Sequence, residues 1–266
     1  MTKTKNILSI IAIILVVVSV FSLIAHLLGN KEEVSTNKPI EPSKIGNTLS
    51  PENGYISFLG DSITTYEGWS NNTRYNSTIG GYGSYYDSSK LSVTDTWWYK
   101  VSETMGYGLC VNNSLDAARV SATHVRLPSA IERADNLHND NVGILPDVIV
   151  IYLGTNDLAN GVSVSEFEEA YDELLYEVGK YMDAKIYCCT LLPESRNADK
   201  TDELSSYNDI IRTTARQWGY ELIDFYNEID NWDYNMYTFE DDTMRVHPNK
   251  IGMQKMYEAV ISTMKG

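Results

Sequence analysis

Ser62 is the first residue in this sequence whose type and position could carry chemistry. It stands in the run Gly60-Asp61-Ser62, directly after the apolar, β-prone segment Tyr55–Leu59. In α/β folds the carboxyl end of a buried parallel strand holds the reacting groups, and Gly60 permits the sharp turn needed there. The same three residue types also form ordinary turns after strands. The tripeptide alone therefore leaves a nucleophile and a plain turn both open.

Two later stretches also place polar residues beside an apolar run. Val148–Leu153 is a second apolar segment and ends in Gly154-Thr155-Asn156-Asp157, and His247-Pro248-Asn249 precedes a helical pattern. With serine, glycine, asparagine and histidine in this order, the chain resembles the SGNH (GDSL-type) serine hydrolase family. The resemblance extends over about residues 54 to 264. Three spaced blocks are far more specific than any one of them.

The resemblance implies a serine esterase with Ser62 as nucleophile and His247 as base. A serine hydroxyl is a poor nucleophile until a base takes its proton, and histidine suits that task at neutral pH. His247 is the one histidine of four with a Pro-Asn context, which His26, His124 and His138 lack. The alternative for His247 is a surface histidine at a helix cap.

The resemblance also implies an oxyanion hole formed by the Ser62 N–H, the Ala117 N–H and the Asn156 side chain. Ala117 stands where the family has a glycine. Alanine still donates its N–H, but it costs about 1 kcal/mol or more if the position needs a positive φ. The alternative for Asn156 is a turn residue that bonds its own backbone. We also predict that Asp61 and Gly154 contact the substrate.

The acid that would orient His247 is the largest departure from the family pattern. Family members usually carry an aspartate three residues before the histidine, where this chain has Met244. Asp242 lies five residues before His247, and a loop longer by two residues would bring it to the imidazole. Alternatively, a backbone carbonyl orients His247, and Asp241 and Asp242 belong to a solvated acidic loop.

The segment Tyr66–Lys90 is rich in glycine, asparagine, serine and tyrosine and begins beside Ser62. A loop of this length is uncommon unless it has a function. Because aromatic rings stack on the apolar faces of sugars, we predict that it forms one wall of the substrate site, with Trp69 and Tyr75 in contact with substrate. The alternative is a surface loop packed on its own tyrosines.

The N-terminal residues differ in kind from the rest of the chain. Ile7–Leu28 is an apolar run of about 22 residues, enough to cross a hydrocarbon core of about 30 Å. We predict an n-region and single-pass membrane anchor in residues 1–29, a polar linker in 30–51, and an extracellular hydrolase domain in 52–266. A cleaved signal peptide, and hence a secreted protein, is the alternative.

Net charge and cysteine content restrict the partners. The formal charge of −15 disfavours nucleic acid and anionic lipid head groups, so a neutral ester or acylated glycan fits better than a polyanion. Cys110, Cys188 and Cys189 lie in or beside apolar runs and are predicted to be buried free thiols. We expect no metal and no cofactor, and the sequence leaves the oligomeric state open.

Strand and helix patterns alternate along the domain, which predicts a parallel sheet with helices on both faces. Strands are predicted at Tyr55–Leu59, Gly108–Asn112, Val148–Leu153, Lys185–Leu192 and Glu221–Phe225. Helices are predicted at Thr96–Met105, Leu127–Leu137, Ser165–Met182, Leu204–Trp218 and Pro248–Met264. The resemblance implies a flavodoxin-like three-layer α/β/α sandwich with its site at the carboxyl ends of a five-stranded sheet.

These patterns together favour a membrane-tethered extracellular serine esterase that hydrolyses short-chain acyl esters, with O-acetyl groups on glycans as the first choice. Two alternatives stay open. The same site could transfer the acyl group to a sugar hydroxyl, or the domain could bind glycans without catalysis. The sequence does not identify the acyl chain or the alcohol.

Overall fold

The computed structural model of the chain describes residues 51–70, 84–121, 127–140, 142–229 and 231–266. The predicted anchor, residues 1–29, and all but the last residue of the predicted linker, residues 30–51, lie outside these ranges. None of the helices inside them has both the length and the apolar character that a membrane span requires.

Five parallel strands form one sheet in the order β2-β1-β3-β4-β5. They are β1 (Tyr55–Gly60), β2 (Gly108–Ser114), β3 (Val148–Tyr152), β4 (Lys185–Cys189) and β5 (Glu221–Ile223). This is the flavodoxin-like order, in which ligands bind where the chain switches direction across the sheet, at the carboxyl ends of β1 and β3. The predicted α/β class with a five-stranded parallel sheet is confirmed.

The central strands are buried along almost their whole length. Every residue of β3 is buried, as is every residue of β1 after Tyr55. The two strands pair in register from Ile56 opposite Val148 to Gly60 opposite Tyr152. Uninterrupted apolar strands of this kind form where helices cover both faces of a sheet.

The helices form the two outer layers. They are α1 (Trp97–Met105), α2 (Ala130–Arg133), α3 (Thr155–Ala159), α4 (Val164–Val178), α5 (Thr201–Trp218), α6 (Phe225–Glu228), α7 (Tyr234–Tyr237) and α8 (Lys250–Lys265). Helix α1 packs against α8, and α4 packs against α5. Trp97 and Trp98 are in the core, and Cys110, Cys188 and Cys189 are buried free thiols, as predicted.

Helix α4 begins earlier than the sequence predicts. Its N-cap is Ser163, whose side chain accepts a hydrogen bond from the Glu166 N–H, so the predicted start at Ser165 is wrong. The helix also ends at Val178, before the predicted end at Met182, which is 88% exposed. Both serines have a glutamate three residues later, and this local signal does not distinguish them.

The start of α2 and the end of β5 also differ from the prediction, because a side chain caps a helix at each position. The predicted helix Leu127–Leu137 begins only at Ala130, because Ser129 and Glu132 form a capping box, and it continues as a 3-10 turn. Strand β5 ends at Ile223 because the Asp224 side chain caps α6.

Candidate active site

Ser62 lies at the carboxyl end of β1, at the switch point of the sheet. The Asp61 side chain accepts a hydrogen bond from the Ile63 N–H and so caps the 3-10 turn Ser62–Thr64. A Cβ atom on Gly60 would come within 2.6 Å of the Thr64 hydroxyl, so the tight turn requires glycine there. Ser62 is only 4% exposed.

His247 reaches Ser62 from the other end of the chain. Its Nε2 lies 3.0 Å from the Ser62 Oγ, within hydrogen-bond distance. The ring comes two residues before Asn249, which caps α8 by accepting hydrogen bonds from the Ile251 and Gly252 N–H groups. The cap fixes the start of α8 and, with it, the chain that carries the imidazole.

Asp242 completes a line of three side chains. Its Oδ2 lies 2.8 Å from His247 Nδ1 and also accepts hydrogen bonds from the backbone N–H groups of Val246 and His247. Burial acts to raise the pKa of Asp242, but the hydrogen bonds from His247 outweigh it and hold that pKa well below its ordinary value. Met244, at the usual aspartate position, is 53% exposed.

The extra two residues are accommodated in the loop between Asp242 and His247. Arg245 adopts a φ of 48°, and its N–H donates to the Asp242 carbonyl oxygen. The loop therefore closes on itself before the chain reaches His247, and Asp242 is brought to the imidazole despite its different spacing.

Tyr85 covers one face of the His247 imidazole. The two ring centroids are 3.3 Å apart and the ring planes are nearly parallel, at 8°. The Tyr85 N–H donates to Thr65, three residues after Ser62, so its backbone is tied to the nucleophile turn. The sequence predicts that the loop Tyr66–Lys90 forms a wall of the substrate site, and in the structure its residue Tyr85 restrains the base.

The predicted oxyanion-hole residues lie after β2 and β3. Asn156 is in the first turn of α3, 5% exposed, and its Nδ2 donates to the Ala118 carbonyl oxygen at 2.9 Å. The neighbouring Asp157 accepts hydrogen bonds from the backbone N–H groups of Val120 and Ser121. These contacts fix the loop that carries Ala117 against α3.

Ala117 adopts a φ of 58°, in the left-handed region that favours glycine. We expect Ala117→Gly to raise the free energy of unfolding by about 1 kcal/mol, because glycine has no Cβ to strain in this conformation. Urea unfolding of both proteins measures the difference. Ala118→Gly is the control, since the φ of Ala118 is not positive, and it should destabilise the protein. Equal or lower stability of Ala117→Gly would contradict the strain argument.

The predicted substrate contacts have different surroundings. Asp61 is fully buried behind the nucleophile turn, and Trp69 packs against Trp98 and Tyr99 with ring centroids 6.3 and 5.9 Å apart. Gly154 has a φ of 131°, and a Cβ there would lie 3.0 Å from Leu191 and Phe167 side-chain atoms. Tyr75 lies outside the described residues.

Two buried carboxyl groups flank the site. Burial raises the pKa of Asp61 to about 7, and burial likewise raises the pKa of Glu194 to about 7, against the lowering effect of Arg196. Glu194 and Arg196 belong to the turn after β4 and were not predicted from sequence. Pro193 follows the apolar run and indicates that the strand ends there. No local sequence motif indicates a role for the Glu194 or Arg196 side chain.

Asp61 should make the protein less stable as pH rises. Its folded pKa of about 7 exceeds the ordinary 3.8, so its contribution is fully present below pH 4 and is lost between about pH 4 and 7. We expect Asp61→Asn, which keeps the capping oxygen, to raise the free energy of unfolding at pH 8 by on the order of a few kcal/mol. At pH 4 the gain should be small.

Urea unfolding at pH 4 and pH 8 tests this prediction, with Asp199→Asn at an exposed position as the control. Glu194 remains in both proteins, so the pH dependence should shrink without vanishing. An equal effect of Asp61→Asn at both pH values would show that Asp61 does not titrate in this range.

The arrangement is suited to nucleophilic attack by a serine. A hydroxyl, an imidazole and a carboxylate lie in one line, and an asparagine amide is held at the end of the neighbouring strand. In the described ranges, no cluster of three or more His, Cys, Asp or Glu side chains could hold a metal ion.

Comparisons with known proteins identify the family and the fold. A family model described as the GDSL-like lipase/acylhydrolase family matches residues 58–255. A solved protein described as a GDSL-like lipase from Bacteroides ovatus is 24% identical, with 79% of this chain and 97% of that chain covered and a TM-score of 0.60. A similar one from Bacteroides uniformis, also 24% identical over 79% and 95% of the two chains, has a TM-score of 0.56.

A third similar structure is described as the acetyl xylan esterase AlAXEase. It is 19% identical, with 78% of this chain and 98% of that chain covered, at a TM-score of 0.53. At these identities the solved structures show the fold alone. No curated protein matches the sequence.

Proposed function

Because this chain belongs to the GDSL-like lipase/acylhydrolase family and is a serine hydrolase of ester bonds, we propose that it removes short acyl groups, above all O-acetyl groups on glycans. The single observation that supports the proposed site best is the line from Ser62 through His247 to Asp242, with hydrogen-bond distances of 3.0 and 2.8 Å. Residues 1–29 would tether the domain at the outer surface of a membrane.

In the proposed first half-reaction, Ser62 Oγ attacks the ester carbonyl carbon while its proton passes to His247 Nε2. Asp242 holds the proton on Nδ1 and so leaves Nε2 free to accept. The negative charge on the carbonyl oxygen is received by the N–H groups of Ser62 and Ala117 and by the Asn156 amide. Collapse of this intermediate expels the alcohol, which takes the proton from His247.

In the second half-reaction, water attacks the acyl-serine. His247 takes a proton from the water and returns one to Ser62, and the carboxylic acid leaves. Each cycle therefore consumes one ester and one water, and it gives one alcohol and one acid. Both half-reactions proceed with these side chains, the backbone N–H groups and water.

The small space beside the site supports a short acyl group. A narrow cavity with room for about one water molecule lies among residues adjacent to the reacting ones, including Ile63, Val246 and Pro248, and Leu192 and Trp232 line it further. A cavity of this size suits a short acyl group better than a long acyl chain.

The sugar part of the proposal rests on aromatic residues and charge. Tyr85 and Phe239 are partly exposed beside His247, with their ring centroids 6.4 Å apart, whereas Tyr86 is fully buried beneath them. Aromatic faces suit the apolar faces of sugars, and the net charge of −15 disfavours polyanions. One similar structure is described as an acetyl xylan esterase.

The test is hydrolysis by the full chain of p-nitrophenyl acetate, butyrate and octanoate, followed by acetate release from acetylated xylan. We expect kcat/KM to fall with chain length and free acetate to appear from the glycan. A fluorophosphonate should label Ser62, as mapped by mass spectrometry. Faster turnover of octanoate than of acetate would contradict the short acyl group, and labelling elsewhere would contradict the site. Transfer of acetyl to an added sugar, without free acetate, would identify a transferase.

A further inference from the structure

Arg196 lies directly behind the Asn156 amide. Its Nη1 and Nη2 both donate to the Asn156 Oδ1 at 3.3 Å. Arg196 belongs to the 3-10 turn Ser195–Asn197, which follows β4, whereas Asn156 follows β3. The contact therefore joins two neighbouring strand ends at the same edge of the sheet.

The orientation of an asparagine amide decides whether it presents a donor or an acceptor. Here the Nδ2 end donates to the Ala118 carbonyl oxygen, while the Oδ1 end receives both guanidinium donors. A flipped amide would set Oδ1 against the Ala118 carbonyl and the NH2 group against Arg196. Both ends would then be repulsive, so the pair of contacts selects one orientation.

We propose that Arg196 is a positioning residue, which fixes the Asn156 amide so that the second N–H of Nδ2 serves the oxyanion. This inference rests on the proposed function, because it requires Asn156 to stabilise the transition state. Arg196 does not touch the reacting atoms in this account. Its effect on the rate passes through Asn156.

Arg196 is itself held by groups on either side. Its Nη2 lies 3.1 Å from Oε1 of Glu194, a side chain only 6% exposed, and the same oxygen accepts from the Asn197 amide at 2.6 Å. The Arg196 backbone N–H donates to the Met244 carbonyl oxygen, in the loop between Asp242 and His247. The guanidinium is thus fixed before any substrate arrives, as preorganised catalysis requires.

A double-mutant cycle on kcat for p-nitrophenyl acetate tests the proposal. We expect Asn156→Ala to lower kcat by about 10²- to 10³-fold, and Arg196→Gln to lower it by about tenfold or more with little change in KM. The variant with both changes should be no slower than Asn156→Ala alone, because Arg196 then has no amide to position. Arg196→Lys, which keeps the charge but not the two-pronged contact, should be slower than wild type.

Arg216→Gln removes the same charge from an exposed position and is the matched control. Circular dichroism at the assay temperature verifies that each variant is folded. If Arg196→Gln is not folded, Arg196→Lys replaces it in the double-mutant cycle. If the losses in kcat of the two single variants multiply in the double variant, Arg196 acts independently of Asn156, on the charge of the transition state or on the substrate. That result would overturn the proposal. Unchanged kcat in folded Arg196→Gln would also overturn it. If Asn156→Ala keeps full kcat, the oxyanion assignment itself fails, and this inference fails with it.

Discussion

Replacing Ser62 by alanine is expected to lower kcat for p-nitrophenyl acetate by about 10⁵- to 10⁶-fold, the scale seen when a serine nucleophile is removed. The Ser62 Oγ lies 3.0 Å from His247 Nε2, and the proposed acyl intermediate forms on this oxygen. Alanine fits the 3-10 turn, since the Asp61 cap uses the Ile63 N–H and not the Ser62 side chain. The variant should therefore fold normally.

Steady-state assays of the purified variant measure this loss, with thermal unfolding beside them. Ser165→Ala, at an exposed position on α4, is the matched control and should keep wild-type turnover. Ser62→Ala that is folded and retains more than a few per cent of the activity would exclude Ser62 as the nucleophile. The fluorophosphonate label should disappear from this variant as well.

The second large effect is expected for Asp242→Asn, with kcat lower by about 10⁴-fold. A neutral amide does not offset the positive charge that His247 takes up during attack. The amide oxygen can take the place of Oδ2 beside Nδ1, but it accepts the Nδ1 proton more weakly than the carboxylate does and carries no charge to stabilise the imidazolium. The amide oxygen can still accept from the Val246 and His247 backbone N–H groups, so the loop should hold.

Asp241→Asn gives a close control for this variant. It removes the same charge one residue away, from an exposed side chain, and should keep wild-type kcat. Losses of similar size in both variants would show that loop charge, and not the contact with Nδ1, supports the base. If Asp242→Asn were nearly as fast as wild type, His247 would act without a carboxylate partner.

The sheet and the two strand-end blocks could be predicted from sequence because their signals are local. A buried parallel strand must be apolar throughout, and the turn after it must contain residues that tolerate tight geometry. Both features are visible around Ser62 and Asn156 without reference to the rest of the chain. The five strand positions followed from the same pattern.

The contacts across the site could not be predicted in this way. The approach of Asp242 to His247 depends on a positive φ at Arg245, a conformation that arginine does not signal. Arg196 meets Asn156 only because β3 and β4 are neighbours in the sheet, forty residues apart in sequence. The Ala117 substitution was visible in the sequence, but the φ that makes it costly was not.

The choice of helix caps shows the same limit at smaller scale. Ser163 and Ser165 are equivalent N-cap residues by type. In the structure α4 begins directly after Ser163, and in this position it buries Phe167, Tyr171 and Leu174. Propensity rules describe which residues can end an element. Packing decides which of them does.

The parallel stacking of Tyr85 on His247 has a spectroscopic consequence. An aromatic ring current acts most strongly on nuclei directly above its face, and the imidazole sits there at a centroid distance of 3.3 Å. The carbon-bound protons of His247 should therefore resonate upfield of those of His138, whose ring is tilted at 45° to Tyr181 with centroids 6.1 Å apart. Proton NMR of the enzyme without substrate would then distinguish the imidazole of His247 from that of His138.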